Sequence, residues 1–149
     1  MEELNLIDVI NAREGWMKAM GIRITVAEPD NVECEWDVDE RHHQGYGIVH
    51  GGVHCGVVES LSSIGAALAA ARNGQIVVGL ENSTSFIRAV REGRLRGRAV
   101  PLTRGRKTQL WECRITDARD LLVAVGKGRL VCLEAEEGVG GGSAFVLQR

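Results

Sequence analysis

Glu59 is a carboxylate in a stretch of sequence that is otherwise nearly all apolar or small. The stretch covers residues 49–72 and is apolar on nearly every face of a helix, which is typical of a helix enclosed by other structure. Burying an ionised carboxyl group costs free energy unless a partner or a change of protonation offsets the lost hydration. A carboxylate kept at such a position therefore favours a chemical role, as a nucleophile or a general base.

Two consecutive glycines, Gly51 and Gly52, stand where this helix is expected to begin. The first N–H groups of a helix have no partner inside the helix, and together with the helix dipole they attract negative charge. Because glycine leaves these groups uncovered, the helix start could polarise a carbonyl oxygen or bind an anion. The alternative interpretation is a tight loop or a close packing contact that only glycine permits.

Ser63 follows Glu59 by one helical turn, so both side chains would lie on one face and the hydroxyl could donate to the carboxylate. A small residue suited to helix packing is the alternative for Ser63. We interpret His42, His43 and His54 as loop or packing residues, because no third ligand stands at a spacing typical of a metal site. We therefore expect neither a metal nor another cofactor.

The elements around the helix follow from the period of the apolar residues. Before it, the sequence predicts one or two short amphipathic helices over 4–20, a hairpin with one acidic face over 22–38, and a loop over 39–49. After it, four strands are expected, over 76–87, 94–100, 108–115 and 121–133. The connections between these strands are short, which is typical of antiparallel neighbours.

This order of elements predicts the fold class. A single apolar helix and a long antiparallel sheet can bury their apolar surfaces only against each other, with the sheet curling around the helix. We therefore expect an α+β fold in which a long central helix is wrapped by a curved antiparallel sheet of about six strands. Residues 1–137 would form this single domain, and the acidic, glycine-rich residues 138–149 a loose carboxyl-terminal tail.

Composition limits the possible partners. The net charge is −2 and only 4% of the residues are aromatic, so a stacking surface for nucleic acid is not expected. The four cysteines are spread singly, which is typical of buried free thiols in a reducing compartment. The first residues lack the features of a signal peptide, and no run approaches membrane-spanning length. We expect a cytoplasmic protein without membrane contact.

A basic stretch, residues 88–107, contrasts with the acidic first 40 residues. Three of its arginines alternate with small or apolar residues, as on a solvated strand face: Arg94, Arg96 and Arg98. Four other basic residues border turns and are candidates for contact with a phosphate-bearing ligand: Arg88, Arg104, Arg106 and Lys107.

Several of these features occur together in one known family. They are Gln44, the segment 49–52, Glu59 with Ser63, the strand over 79–88, and Arg91-Glu92-Gly93. This pattern, spread over about residues 16–133, resembles the hotdog-fold thioesterases. It is most similar to their glutamate-dependent branch, which hydrolyses aryl-CoA or aryl carrier-protein thioesters. That branch includes hydroxybenzoyl-CoA thioesterase, the enterobactin proofreading thioesterase and dihydroxynaphthoyl-CoA thioesterase.

The resemblance implies a hotdog fold and a role for each matching residue. Glu59 would be the nucleophile or general base, and the Gly51 N–H would polarise the thioester carbonyl. Gln44 would help to hold the carbonyl, His50 would order the loop and the leaving-group side, and Ser63 would orient the water or the carboxylate. The remaining substrate and CoA contacts would come from Gly52, Tyr46, Arg88, Arg104, Arg106 and Lys107. Ala89 and the pair Arg106-Lys107 depart from the residues common at these positions in the family.

Gly51 and Glu59 cannot act on one carbonyl from the same helix, because they are eight residues apart, a rise of about 12 Å. A thioester bound by one and attacked by the other would need a second subunit whose central helix lies alongside in the opposite sense. The active sites would then straddle a two-fold interface. We expect a homo-oligomer, namely a dimer with shared active sites that assembles further into a tetramer.

The leading hypothesis is hydrolysis of hydroxybenzoyl-CoA, or of a related aromatic acyl-CoA, to the free acid and CoA. One alternative is a thioesterase acting on phenylacetyl or medium-chain acyl groups carried by CoA or an acyl-carrier protein. Another is a non-catalytic module that binds acyl-CoA or nucleic acid. A third is a dehydratase of the same fold, which would yield an enoyl product from a 3-hydroxyacyl thioester.

Overall fold

The computed structural model describes residues 5–137. Its helices are α1 Leu6–Ala12, α2 Trp16–Ala19 and α3 Gly51–Ala71. Its strands are β1 Arg23–Glu28, β2 Asn31–Val38, β3 Gln75–Phe86, β4 Gly93–Arg104, β5 Thr108–Asp117 and β6 Leu122–Glu134. Short 3-10 turns cover Glu40–His42 and Ala135–Glu137. The tail predicted for 138–149 lies outside the described residues.

The six strands form one antiparallel sheet in the order β1-β2-β4-β5-β6-β3, and α3 packs against it. Apolar side chains of α3 and of the sheet are completely buried against each other: Val57, Val58, Leu61, Leu95, Ala99, Trp111 and Ile115. Their removal from water is the main source of stability for this arrangement. The predicted α+β architecture, one long helix against six strands, is confirmed.

The expectation that β3 and β4 are neighbours is wrong. β3 pairs with β6 at one edge of the sheet, whereas β4 lies between β2 and β5. The connection over residues 87–92 instead bonds to the loop before α3, since Val49 N donates to Val90 O at 2.9 Å and His43 Nε2 bonds Arg91 O at 2.7 Å. A short connection therefore crosses beneath the start of α3 rather than turning back as a hairpin.

α3 is less enclosed than its composition predicts. One face is buried, including Val53, Val57 and Leu61, but Glu59, Ser63 and other residues on the opposite side are half-buried. The expectation that no segment reaches membrane-spanning length is also wrong, because α3 is long and apolar enough for that by length and composition. Core helices of globular domains meet the same criteria, and this helix packs as one.

The uneven charge of the sequence is largely neutralised across β2 and β4. Arg94 Nε lies 2.9 Å from Asp37 Oδ1, and Arg98 Nε lies 3.3 Å from Glu33 Oε1. Both arginines are exposed, as the alternation predicts. Exposed pairs of this kind contribute little to stability. They do show that these basic residues face an acidic strand of the same chain rather than an open site.

Candidate active site

The start of α3 is built by His50. The ring Nδ1 of His50 accepts a hydrogen bond of 2.7 Å from Gly52 N–H, so His50 is the N-cap of the helix. The backbone N–H of His50 donates to His42 O at 2.7 Å. The sequence predicts two uncovered N–H groups here, but the Gly52 N–H is already bound. Within residues 5–137 the Gly51 N–H has no hydrogen-bond acceptor. One free donor therefore points outward from the positive end of a long helix.

Both glycines also have a packing role. A Cβ atom at Gly51 would lie 2.5 Å from the Phe86 ring, and a Cβ at Gly52 would lie 2.8 Å from His50 Nδ1. The two interpretations made from the sequence are thus compatible, because glycine both frees the first turn and lets β3 approach it. Phe86 is 58% exposed, so its ring borders the open side of the helix start.

Gln44 and Tyr46 lie in the loop directly before α3. The Gln44 side-chain oxygen accepts from Tyr46 N–H, and Gln44 N donates to Ile48 O at 2.8 Å, so the loop folds on itself. Arg91 Nη1 donates to Tyr46 O at 2.8 Å and ties this loop to the β3–β4 connection. The Tyr46 side chain is 83% exposed. Gln44 is therefore held in position, with its amide nitrogen making no hydrogen bond within residues 5–137.

The Glu59 carboxylate lies at the centre of α3 and is half-buried. Ser63 Oγ donates to its Oε1 at 3.5 Å, as the spacing of one turn predicts, and Asn82 Nδ2 donates to its Oε2 at 3.4 Å. No Lys, Arg or His among residues 5–137 forms an ion pair with it. A carboxylate with two neutral donors and no cation keeps lone pairs available for chemistry.

Asn82 was not found by sequence reasoning, and a β-bulge explains why. The register of β3 against β6 shifts between Gly79 and Glu81, so the alternation of side chains changes there. As a result both Gly79 and Asn82 approach Glu59, although they are three residues apart. A methyl group at Gly79 would overlap Glu59 Oε1, so glycine leaves the space that the carboxylate occupies.

Ser63, which donates to this carboxylate, also lines a cavity of about 500 Å³. Most of the other lining residues are apolar, among them Trp16, Met17 and Ile64, and Arg13, Glu14 and Lys18 line it as well. The Trp16 ring lies directly against Gly56 of α3, where any side chain would collide with it. Sequence reasoning did not predict this contact, because it joins α2 to α3 across a tertiary interface.

The basic residues predicted to meet phosphates are divided between the two ends of α3. Arg88 follows Phe86, whose ring contacts Gly51, so it lies at the start of the helix. Arg106 O accepts from Gln75 Nε2 at 3.2 Å at the other end, and Lys107 borders the same surface. Arg104 Nη1 donates to Pro29 O at 3.0 Å. The two groups are separated by the length of the helix, roughly 30 Å.

His54 lies in the first turns of α3 and is 3% exposed. Its Nδ1 has no hydrogen-bond partner within residues 5–137, and its ring centroid is 6.1 Å from that of Phe86. Burial lowers the pKa of His54 from 6.5 to about 4. The imidazole is therefore neutral at pH 7 and acts as a packing group, in agreement with its interpretation from the sequence.

We predict that acid destabilises the fold through His54. The unfolded chain binds this proton at higher pH than the folded chain does, so stability is complete above about pH 6.5 and is lost as pH falls toward 4, by at most about 3 kcal/mol. Urea unfolding of the wild type and of His54→Leu, at several pH values between 7 and 4, measures the free energy of unfolding and its loss with acid. The variant should lose less stability over that range, and equal losses would contradict the prediction.

Comparison with known proteins finds similar sequences over most of this chain. Residues 46–124 match the model of the family described as the thioesterase superfamily. The chain is 42% identical over 118 residues to "Putative esterase Rv1847" of Mycobacterium tuberculosis, an alignment that covers 78% of this chain and 84% of the relative. It is 43% identical over 98 residues to the proofreading thioesterase EntH of Cronobacter turicensis, covering 66% of this chain and 71% of that protein.

Among solved structures, a thioesterase from Haemophilus influenzae superposes with a TM-score of 0.81 at 28% identity, covering 89% of this chain and 94% of that one. The family match over residues 46–124 includes α3 and the strands β3, β4 and β5, and therefore includes Glu59 and the helix start.

Proposed function

We propose that this chain, which belongs to the thioesterase superfamily and is a thioester hydrolase of hotdog fold, cleaves aromatic acyl-CoA thioesters with Glu59 as its nucleophile or general base. The observation that carries the proposal is the Glu59 carboxylate, which has two neutral donors and, among residues 5–137, no cation, and whose donor Ser63 lines a largely apolar cavity. Hydroxybenzoyl-CoA or a related aryl-CoA is the substrate class we favour.

Thioester hydrolysis requires a polarised carbonyl and an activated attacking group. The free Gly51 N–H at the start of α3 is suited to the first task, since a donor aimed at a developing oxyanion stabilises the transition state by roughly 3 kcal/mol. Glu59 is suited to the second, either by direct attack on the carbonyl carbon or by removing a proton from water. The thiolate leaving group needs little help from an acid, so no further titratable residue is required.

We propose that the working unit is a dimer formed through β3. One edge of β3 pairs with β6, but its other edge has no partner strand within residues 5–137. This edge carries exposed apolar side chains, with Leu80 at 57%, Phe86 at 58% and Ile87 at 53% exposure. A long, exposed apolar edge of this kind favours pairing with another strand. A second copy of β3, paired antiparallel about a two-fold axis, would satisfy it.

Two contacts inside the chain suggest the register of that pairing. Gly79 lies against Glu59, and Phe86 lies against Gly51. Because the bulge beside Gly79 adds one residue before Asn82 in each strand, placing Gly79 opposite the partner's Phe86 puts the two-fold axis at Ser83. The partner's Gly51 then comes to the side of Glu59, which is the juxtaposition that the chemistry needs. Each dimer would contain two such sites.

The same register accounts for the divided basic residues. β3 runs from Gln75, at the carboxyl end of α3, to Phe86 at its start. An antiparallel partner therefore brings the partner's Gln75, with the neighbouring Arg106 and Lys107, to the end of the interface where Arg88 lies. We propose that the CoA phosphates meet basic residues of both subunits there. Association of dimers into a tetramer remains our expectation from the sequence.

The preference for an aromatic acyl group is supported by Trp16. Trp16 and Ser63 line the same cavity, and cavities of this size and largely apolar lining bind small organic groups. An aryl group stacked against an indole gains roughly 0.5–1.5 kcal/mol beyond its buried area. We place the acyl part of the substrate in this cavity and the thioester at its Glu59 end.

Steady-state hydrolysis across benzoyl-type, phenylacetyl and medium-chain acyl-CoAs tests this assignment. We predict the highest kcat/KM for benzoyl-type CoA, and a loss of about tenfold for that substrate in Trp16→Ala, equivalent to about 1.4 kcal/mol. Trp16→Phe should retain most of the activity. The control Asp8→Ala, on the exposed part of α1, should leave kcat/KM unchanged. A preference for medium-chain acyl-CoA that Trp16→Ala leaves unchanged would favour the aliphatic alternative.

A further inference from the structure

Asn82 joins β3 to the reactive part of α3 through one carboxamide. Its Nδ2 donates to Cys55 O at 3.0 Å and to Glu59 Oε2 at 3.4 Å. Cys55 and Glu59 are four residues apart and therefore lie on the same side of the helix, one turn from each other. The two hydrogens of a single amide group can serve both acceptors at once.

Thr84 holds the oxygen end of this amide. Thr84 Oγ1 donates to Asn82 Oδ1 at 2.7 Å, a distance typical of an O–H···O hydrogen bond. The two acceptors on the α3 side, Cys55 O and the Glu59 carboxylate, can be served only by the NH₂ group, so that group faces α3 and the hydroxyl donates to the amide oxygen. Asn82, Thr84 and Phe86 alternate along β3 after the bulge and all contact other parts of the fold on the α3 side. The strand thus presents an oriented donor to Glu59.

We propose that Asn82 is a positioning residue for Glu59, and that Thr84 acts through it by fixing the orientation of its amide. This proposal rests on the role of Glu59 in the proposed function. Ser63 bonds one carboxylate oxygen from within α3, and Asn82 bonds the other from β3, so the plane of the carboxylate is defined by two different elements. The Oε1 atom of Glu59 lies beside Gly79, in the space that the missing side chain leaves.

The position of Asn82 also links the orientation of the Glu59 carboxylate to dimer formation. β3 is an edge strand of the sheet, with no partner strand on one side within residues 5–137, and the proposed two-fold axis passes next to Asn82. Pairing with a second β3 would hold the backbone that carries the amide. The carboxylate, which Asn82 already bonds in the single chain, would then be held more firmly in the dimer, in which the partner's Gly51 is also present.

The test is a double-mutant cycle with steady-state kinetics on benzoyl-type CoA and a thermal melt for each protein. We expect Asn82→Ala to lower kcat about tenfold or more, with KM changed less than about twofold, because a misplaced catalytic group slows the chemical step rather than binding. Thr84→Val should lower kcat several-fold. The double variant Asn82→Ala/Thr84→Val should be no slower than Asn82→Ala alone, since Thr84 acts only through the amide.

Two further variants separate positioning from bracing of the strand. Thr84→Ser retains the hydroxyl and should restore kcat to near the wild-type value. Ser85→Ala, at the neighbouring position on the other face of β3, is the matched control and should leave kcat and Tm unchanged. If the hydrogen bond from Asn82 to Cys55 O only stabilises the packing of β3 on α3, Asn82→Ala should lower Tm and leave kcat unchanged.

An unchanged kcat in Asn82→Ala, or additive losses of kcat in the double variant, would overturn the inference. Its failure is distinguishable from failure of the proposed function, which requires only that Glu59→Gln be inactive. If Glu59→Gln is inactive and Asn82→Ala is fully active, Glu59 reacts without this support. If Glu59→Gln is itself active, the proposed function is wrong.

Discussion

Replacing Glu59 with glutamine is expected to reduce thioester hydrolysis by about 10² to 10⁴-fold, the range that a positioned general base supplies. Glutamine has the same shape but carries no charge, so it can neither attack a carbonyl carbon nor take a proton from water. Its side-chain oxygen can still accept from Ser63 or Asn82. The loss should therefore appear in kcat, measured with benzoyl-type CoA by release of free thiol.

The fold should survive this change. Glu59 is half-buried and forms no ion pair within residues 5–137, so no opposite charge is left uncompensated in the variant. We expect a Tm close to that of the wild type. Glu81→Gln is the matched control, because Glu81 is an exposed glutamate on β3 directly next to Asn82. Turnover by Glu59→Gln at the wild-type rate would contradict the assignment of the catalytic carboxylate.

The features that the sequence predicted well depend on local periodicity. The bounds of α3, the strands and the Glu59–Ser63 contact all follow from spacing along a single element. The N-cap role of His50 could also have been anticipated, since a side-chain acceptor just before a glycine-rich helix start commonly binds its first N–H groups. These predictions needed no knowledge of which elements are neighbours in space.

The features that sequence reasoning missed depend on tertiary contacts. The order of β3 in the sheet depends on the β3–β4 connection crossing under α3, which its length alone does not reveal. Asn82 faces Glu59 only because of a bulge, and a bulge changes the side-chain alternation without an evident sequence pattern. Trp16 reaches Gly56 only when the α2 arm has folded onto α3.

The dimeric active site makes the second large prediction. Gly51→Pro removes the free N–H at a helix position where proline is tolerated, and should lower kcat about 10²-fold or more. Its added carbons would press on the Phe86 ring, so Gly51→Ala, which adds the same Cβ but keeps the N–H, is the necessary control. Gly51→Ala should remain the more active of the two. If both are inactive, the comparison is repeated in a Phe86→Ala background.

Mixing inactive Glu59→Ala subunits with inactive Gly51→Pro subunits should then restore activity, provided that the mixture is unfolded and refolded together. Each mixed dimer has one site that carries both changes and one site that carries neither, because each site takes Gly51 and Glu59 from different subunits. Equal amounts give mixed dimers in about half of the population, and so about a quarter of the wild-type sites. If each active site lay within one subunit, no site would be intact and the mixture would stay as inactive as its components.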